Sequence, residues 1–259
     1  MKTPPAYPEA RNLLKGKRVV VTAAAGTGIG FATAKRCLEE GADLLISDHH
    51  VRRLEECAAE LRSMELGAVH TQACDVTDQT EVDGLFEAAE ASMGGLDILV
   101  NNAGLGGMDP LVTMEDATWQ RILDVSLTGT MRCTRAGMKA MMSDRGGAII
   151  NNASVLGWRA QKGQSHYAAA KAGVMALTRC AALEGAEHNI RINAIAPSLA
   201  MHPFLEKATG PELLKDLQQR EAFGRAAEVW EVANVIVFLA SDLSSYMTGE
   251  IVPVSSQRA

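Results

Sequence analysis

Strand-like apolar runs alternate with helical patterns almost from one end of this 259-residue chain to the other. Lys17 to Thr22 (KRVVVT), Ala42 to Ser47 (ADLLIS), Ala68 to Ala73, Leu96 to Val100, Ala148 to Asn152 (AIINN), Ile190 to Ala196 and a run near 250–254 each read as a short strand. Helical patterns fill the gaps: up to about Glu40, about Val51 to Leu66, Glu81 to Met93, about Trp119 to Met142, the segment around Tyr167, a polar insertion at 203–221, and 228–240. A continuously apolar strand must be covered on both faces, and a helix after each strand supplies the cover. The pattern therefore predicts an α/β fold, a doubly wound parallel sheet of Rossmann type. No Pro/Gly/Ser-rich linker and no repeat interrupts it. The reading is a single domain over 15–259, a flexible arm at 1–14 and a substrate-loop insertion at about 198–224.

Such a length can bury a sizeable core. A net charge of -6, with 25 Lys+Arg, argues against nucleic acid or an anionic membrane as main partner. No apolar run approaches the ~20 residues that span a bilayer, and MKTPPAYPEARNLLKGK has no apolar signal core. Five widely spaced cysteines (Cys37, Cys57, Cys74, Cys133, Cys180) fit reduced, mostly buried thiols rather than a disulfide framework or a metal site. The expectation is a cytoplasmic, metal-free protein.

VTAAAGTGIG places Gly26, Gly28 and Gly30 between the first strand and the first helix. Glycines there let the backbone approach a pyrophosphate, whose charge then meets the helix N-terminus. Alone, such a cluster marks any tight strand–helix turn. Asp48 ends the second strand about 20 residues after the turn, where an acid accepts hydrogen bonds from an adenosine ribose. Asp75, in CDVTD after the third strand, is placed to reach an adenine edge, or else serves as a turn acid. NNAG, 101–104, ends the fourth strand at the carboxyl edge, where ligands of such sheets bind.

QSHYAAAKAGVMALT is mostly small and apolar, yet it carries Tyr167 and Lys171 four residues apart. That spacing sends both side chains off one helical face. In isolation, the plainer reading is a half-exposed tyrosine beside a solvated lysine. Ser154 lies 13 residues before Tyr167.

In this order, Gly26-x-Gly28-x-Gly30, Asp48, Asp75, NNAG, Ser154 and Tyr167-x-x-x-Lys171 resemble the short-chain dehydrogenase/reductase family over about residues 15 to 254. The resemblance implies a nicotinamide-dependent oxidoreductase acting on a carbonyl or secondary alcohol, often as a homotetramer. It implies Tyr167 as the acid/base, Lys171 as its activator and a contact to the nicotinamide ribose, and Ser154 as the holder of the substrate oxygen. A tyrosine ordinarily titrates near ~10, and an ammonium on the same face is expected to lower that value. With Tyr167 and Lys171, the implied cofactor set is Thr22, Gly26, Gly28, Ile29, Gly30, Asp48, Asp75, Val76, Asn102, Ala103, Gly104 and Pro197. Asp48 favours NAD(H), because a carboxylate repels a 2′-phosphate.

The chain departs from the family pattern in four places. Ala23 follows Thr22 where a glycine is usual, and one extra residue precedes Gly30, so the phosphate turn is expected to rearrange locally. Ser126 replaces an asparagine thought to fix a water that leads protons to the lysine; it joins the catalytic set on the expectation that it still orders that water. Pro197-Ser198-Leu199-Ala200 replaces a P-G followed by a threonine, and VSSQRA ends the chain where a glycine pair is usual.

SVLGWRAQKGQSHY and the insertion around MHPFLEKATGPELL are expected to wall the substrate pocket. Trp158 and Met201 offer apolar surface; Arg159, Lys162 and His202 are placed to meet an anion, or else are solvated. At finer grain the chain is similar to a bacterial subgroup acting on a ring hydroxyl of the coenzyme A thioester of the two-ring remnant of cholesterol. A 3-oxoacyl-thioester reductase is the alternative within the family. A nucleotide-binding regulator without turnover is the alternative outside it, motivated by the departures.

Overall fold

The computed structural model describes residues 2–142, 146–202, 205 and 210–256. Strands β1 (Arg18–Val21), β2 (Asp43–Asp48), β3 (Val69–Ala73), β4 (Ile98–Asn101), β5 (Gly147–Asn152), β6 (Ile190–Pro197) and β9 (Ile251–Val254) form one seven-stranded sheet. Every neighbouring pair is parallel, in the order β3-β2-β1-β4-β5-β6-β9. The order reverses between β1 and β4, which opens a crevice at their carboxyl ends. Two short strands absent from the expectation, β7 (Ala200–Met201) and β8 (Ala227–Glu228), pair apart from the sheet.

Eight α-helices are described: α1 (Ile29–Glu39), α2 (Val51–Arg62), α3 (Gln79–Met93), α4 (Asp116–Leu123), α5 (Gly129–Met142), α6 (Ser165–Ala186), α7 (Pro211–Arg220) and α8 (Val229–Ala240). Side chains alternate along each strand, so each strand serves two cores. Val19, Val21, Leu44 and Ile46 pack under α1, α2 and α8, whereas Val20, Leu45, Leu99 and Ile149 pack under α3, α5 and α6. Each such side chain contributes about 1.5–3 kcal/mol by leaving water.

The helix expected over 119–142 starts at Asp116 and is broken by a π turn at Asp124–Thr128. Close packing accompanies the break: a Cβ on Gly129 would lie 2.6 Å from Val76 Cγ2, and one on Gly173 of α6 2.7 Å from Leu127 Cδ2. In the 203–221 insertion, α7 begins only at Pro211, a residue suited to a first helical position. Residues 203–204 and 206–209 lie outside the described residues.

Residues 7–14 are fastened rather than loose. The buried Glu40 carboxylate accepts the Arg11 and Leu13 N–H groups at 2.9 and 3.0 Å and pairs with the Arg36 guanidinium. Arg36 also donates to the Pro8 and Glu9 carbonyls and lies 5.4 Å from the Tyr7 ring centroid. Tyr7 donates to Glu39 and meets Trp230 of α8 edge-on. Polar anchors did what an apolar pattern does not reveal. Among the described residues no helix is long and apolar enough to cross a membrane. All five cysteines are free, and Cys180 alone is exposed.

Candidate active site

The glycine turn leaves β1 through Ala23, whose φ of 49° is left-handed, and Gly26, whose φ is 115°. Two side chains hold it: Asp48 Oδ2 accepts the Ala25 N–H at 3.2 Å, and Cys57 Sγ accepts the Gly26 N–H at 3.2 Å. The turn is thus tied to the end of β2 and to α2. Gly30 has no room for a side chain, since a Cβ would lie 2.3 Å from the Ala23 carbonyl oxygen and 2.4 Å from Asn102 Nδ2. At Gly26 and Gly28 the opposite holds: a Cβ would meet nothing within 4 Å. Gly28 also begins α1 without a side-chain cap, leaving the helix's first N–H groups, beside Ile29, open to an anion. This opening fits the pyrophosphate of a dinucleotide.

Thr22, at the end of β1, is buried with its side chain facing the protein. Its Oγ1 accepts the Asn102 and Ala103 N–H groups at 3.0 and 3.1 Å, joining β1 to the end of β4. Asp48 ends β2, with Oδ1 accepting the His50 N–H at 2.9 Å and lying 3.3 Å from His49 Nδ1. Burial raises its pKa, against the Ala25 hydrogen bond and the His49 charge. Asp75 is a turn acid: Oδ1 accepts the Thr77 N–H and hydroxyl at 2.9 and 2.8 Å. Burial works against its ionisation, and those Thr77 bonds outweigh it, so its pKa falls. Its exposed carboxylate still leaves Oδ2 for an adenine edge. Val76 is turned inward onto Gly129.

Paired asparagines at the ends of β4 and β5 link the turn to the chemistry. Asn101 and Asn151 are in register, and their buried side chains join each other, Thr134 and Thr178. On the other face Asn152 donates to Asn102 at 2.9 Å, and Asn102 donates to the Ala23 carbonyl at 3.0 Å. Lys171 Nζ donates to the Asn152 carbonyl at 2.6 Å, so one ladder runs from glycine turn to catalytic helix. Asn151 and Asn152 went unassigned in the sequence, although ILVNNAG and AIINNAS repeat one strand ending.

Ser154 is buried just beyond β5, where its Oγ accepts the Leu156 N–H at 3.2 Å. Its hydroxyl faces the Tyr167 phenol and favours the phenolate. Lys171 Nζ lies 5.6 Å from the Tyr167 ring centroid, and a Cβ on Gly104 would come within 3.1 Å of it. Ser154, Tyr167 and Lys171 lie together at this sheet edge, and the pKa direction of the phenol differs from the expected one. Burial raises the Tyr167 pKa, and the Ser154 hydroxyl offsets this only in part. Burial also lowers Lys171 to about 8. Lys171 points its nearest hydrogen bond at Asn152 rather than at the phenol, so it does not bring Tyr167 below the ordinary value.

Ser126 sits in the π turn, buried, with both hydroxyl functions on Leu105: it accepts the N–H at 2.9 Å and donates to the carbonyl at 3.0 Å. These two bonds anchor the loop after NNAG and leave the hydroxyl one acceptor lone pair. His166, also missed in the sequence, is buried; its Nδ1 accepts the Tyr167 N–H at 2.9 Å. Pro197 is buried at the end of β6, Met201 is half-buried in β7, Trp158 is 53% exposed, and Arg159 is half-buried beside it.

A glycine turn with open space before it, a carboxylate at the end of β2 and a serine–tyrosine–lysine trio share one sheet edge. The sequence model of the family described as enoyl-(acyl carrier protein) reductase matches residues 23–256. The chain belongs to the short-chain dehydrogenase/reductase family, and the protein is an oxidoreductase. It is 63% identical over 246 residues, 95% of this chain and 94% of the relative, to the (5R,7aS)-5-hydroxy-7a-methyl-1-oxo-2,3,5,6,7,7a-hexahydro-1H-indene-carboxyl-CoA reductase of Mycobacterium tuberculosis. It is 39% identical to the cis-4-hydroxycyclohexanecarboxylate dehydrogenase of Sinomonas cyclohexanicum, over 92% of this chain and 95% of that one. Among solved structures, a short chain dehydrogenase from Mycobacterium smegmatis superposes with a TM-score of 0.89 at 55% identity, covering 100% of this chain and 99% of that one. An NAD+-bound xylitol dehydrogenase gives 0.88 at 30% identity, covering 94% and 99%.

Proposed function

We propose that this oxidoreductase uses NAD(H) to interconvert a ring hydroxyl and a ketone on the coenzyme A thioester of a small bicyclic acid. The observation that carries the substrate is the 63% identity to an enzyme named for an oxo-hexahydroindene-carboxyl-CoA. The nicotinamide supplies or takes the hydride. Ser154 holds the reacting oxygen by its hydroxyl, and Tyr167 gives that oxygen a proton or removes one. The Lys171 ammonium supports the phenolate while the proton is away. Gly26, Gly28 and the α1 N-terminus receive the pyrophosphate. Asp48 Oδ2 keeps a lone pair for a ribose hydroxyl, and Oδ1 gains one when the exposed His49 ring swings aside.

A homotetramer in the cytoplasm is the assembly and compartment we assign. Exposed Ala169, Ala172, Ala176 and Leu183 on α6 support the first, and the free thiols support the second. A weaker reading, reduction of a 3-oxoacyl thioester, draws on 37% identity over 242 residues to the 3-oxoacyl-[acyl-carrier-protein] reductase FabG of Thermotoga maritima.

Initial rates with ring-hydroxyl and 3-oxoacyl thioesters, using both nicotinamides at about pH 7.5, test the reading. We expect the ring alcohol and NAD(H) to give the larger kcat/KM, and Asp48→Ala to move preference toward NADP(H). A wild-type preference for NADP(H), or for the open-chain thioester, refutes the corresponding half.

A further inference from the structure

Tyr167 stands in the first turn of α6, where backbone N–H groups have no partner within the helix. A serine, threonine or aspartate at the N-cap would accept the N–H of the second or third helical residue. Gln164 holds that position and makes no such side-chain bond. The third helical residue is Tyr167 itself, and the side chain beside it takes the N–H instead: His166 Nδ1 accepts it at 2.9 Å.

That bond fixes the state of the ring. Nδ1 offers a lone pair only when it carries no proton, so His166 in this arrangement is neutral and bears its proton on Nε2. Nε2 is buried without a hydrogen-bond partner among the described residues, which costs about 1–3 kcal/mol. An apolar side chain would fill the same space without that cost, so packing alone does not account for a histidine. Nor does direct chemistry, because the fully buried ring has no surface with which to meet a substrate.

The loop after β4 runs along α6 at this point. A Cβ on Gly104 would lie 3.1 Å from Lys171 Nζ, one on Gly106 3.7 Å from the Tyr167 ring, and one on Gly107 3.8 Å from His166 Nε2. Leu105, within the loop, is held by Ser126. The phenol ring is thus walled by an anchored loop, and the backbone that carries it is pinned by His166.

We propose that His166 is a positioning residue for Tyr167: its Nδ1 holds the first turn of α6 so that the phenol stays on the reacting oxygen. The proposal rests on the reading of Tyr167 as the acid/base. Without the bond the first turn frays, and the hydroxyl at the far end of a long side chain moves further than the backbone does. A shift of about 1 Å at a reacting group costs on the order of a hundredfold in rate. Gly26, Gly28 and Asp48 lie on other elements, so cofactor binding does not depend on this bond.

The test uses the full chain with NAD(H) and the better substrate of the rate comparison above. We expect His166→Leu to lower kcat by about 10- to 100-fold, with KM and the NAD(H) dissociation constant near their wild-type values. His166→Asn, whose Oδ1 stands in for Nδ1, should recover most of kcat. His166→Gln, whose amide reaches only the Nε2 position, should not, and it replaces the leucine variant if that chain fails to fold. A wild-type kcat in both His166→Leu and His166→Gln, or a loss that His166→Asn does not repair, overturns this proposal and leaves the acid/base reading standing. A raised KM with kcat unchanged assigns His166 to the wall of the site and also overturns it. Substantial turnover by Tyr167→Phe overturns both.

Discussion

Tyr167 and Lys171 illustrate what burial does to a catalytic pair. A phenol raised above its ordinary pKa is protonated at neutral pH and so is set to donate, which favours reduction. Oxidation needs the phenolate, whose fraction grows as pH rises. Ketone reduction should therefore fall and alcohol oxidation should rise through the alkaline range, and rate profiles in both directions check this. Tyr167→Phe should cut kcat by about a thousandfold while NAD(H) titration by fluorescence is unaltered. Lys171 carries a different consequence. Its folded-state pKa of about 8 lies below the ordinary 10.5, so between those values the unfolded chain binds more protons and stability rises with pH. Below about 8 the fold bears the full cost of the buried cation, on the order of 3 kcal/mol. Lys171→Met should be inactive yet melt higher than wild type at pH 7, the gap closing toward pH 10.5.

At the scale of elements, the strand–turn–helix unit of β1 and α1 separates two uses of glycine. Gly30→Ala drives a methyl into the Ala23 carbonyl and Asn102, and should cost about 1–3 kcal/mol. Gly28→Ala meets open space; it should cost under about 1 kcal/mol but weaken NAD(H) binding markedly. Denaturant midpoints and cofactor titration of the two variants, side by side, distinguish the roles. This unit was legible in the sequence because its strand is apolar and Gly26 and Gly30 admit no other residue without strain. The π turn at Asp124–Thr128 was not legible, because a continuous helical pattern does not record one added residue. The anchorage at Ser126 was not legible either: its partners on Leu105 are 21 residues away, and only the fold brings them together. Asp75 reads both ways from sequence, and the turn bonds to Thr77 occupy only its Oδ1.

For the whole molecule, the arm acts as a strap across α1 and α8. Glu40 at the end of α1 is fully buried, and Arg36 is its cation. Arg36→Met leaves that carboxylate with backbone partners alone and should lower stability by about 3 kcal/mol, read from the urea midpoint. The alternation of strands and helices made the sheet and its seven main strands readable, whereas the strap depends on isolated polar residues in a proline-rich stretch. The sheet itself ends at β9, where Ala196 pairs with Pro253. The Ala194 and Ser198 N–H groups reach the carbonyls of Glu250 and Val254, so the even-numbered residues of β9 turn inward and Pro253 turns to the open side. The outer margin therefore lacks a donor at its middle, and an incoming strand from another molecule finds no unbroken row to zip onto. One imino acid thus protects the protein from sheet-to-sheet aggregation while it is crowded or partly unfolded.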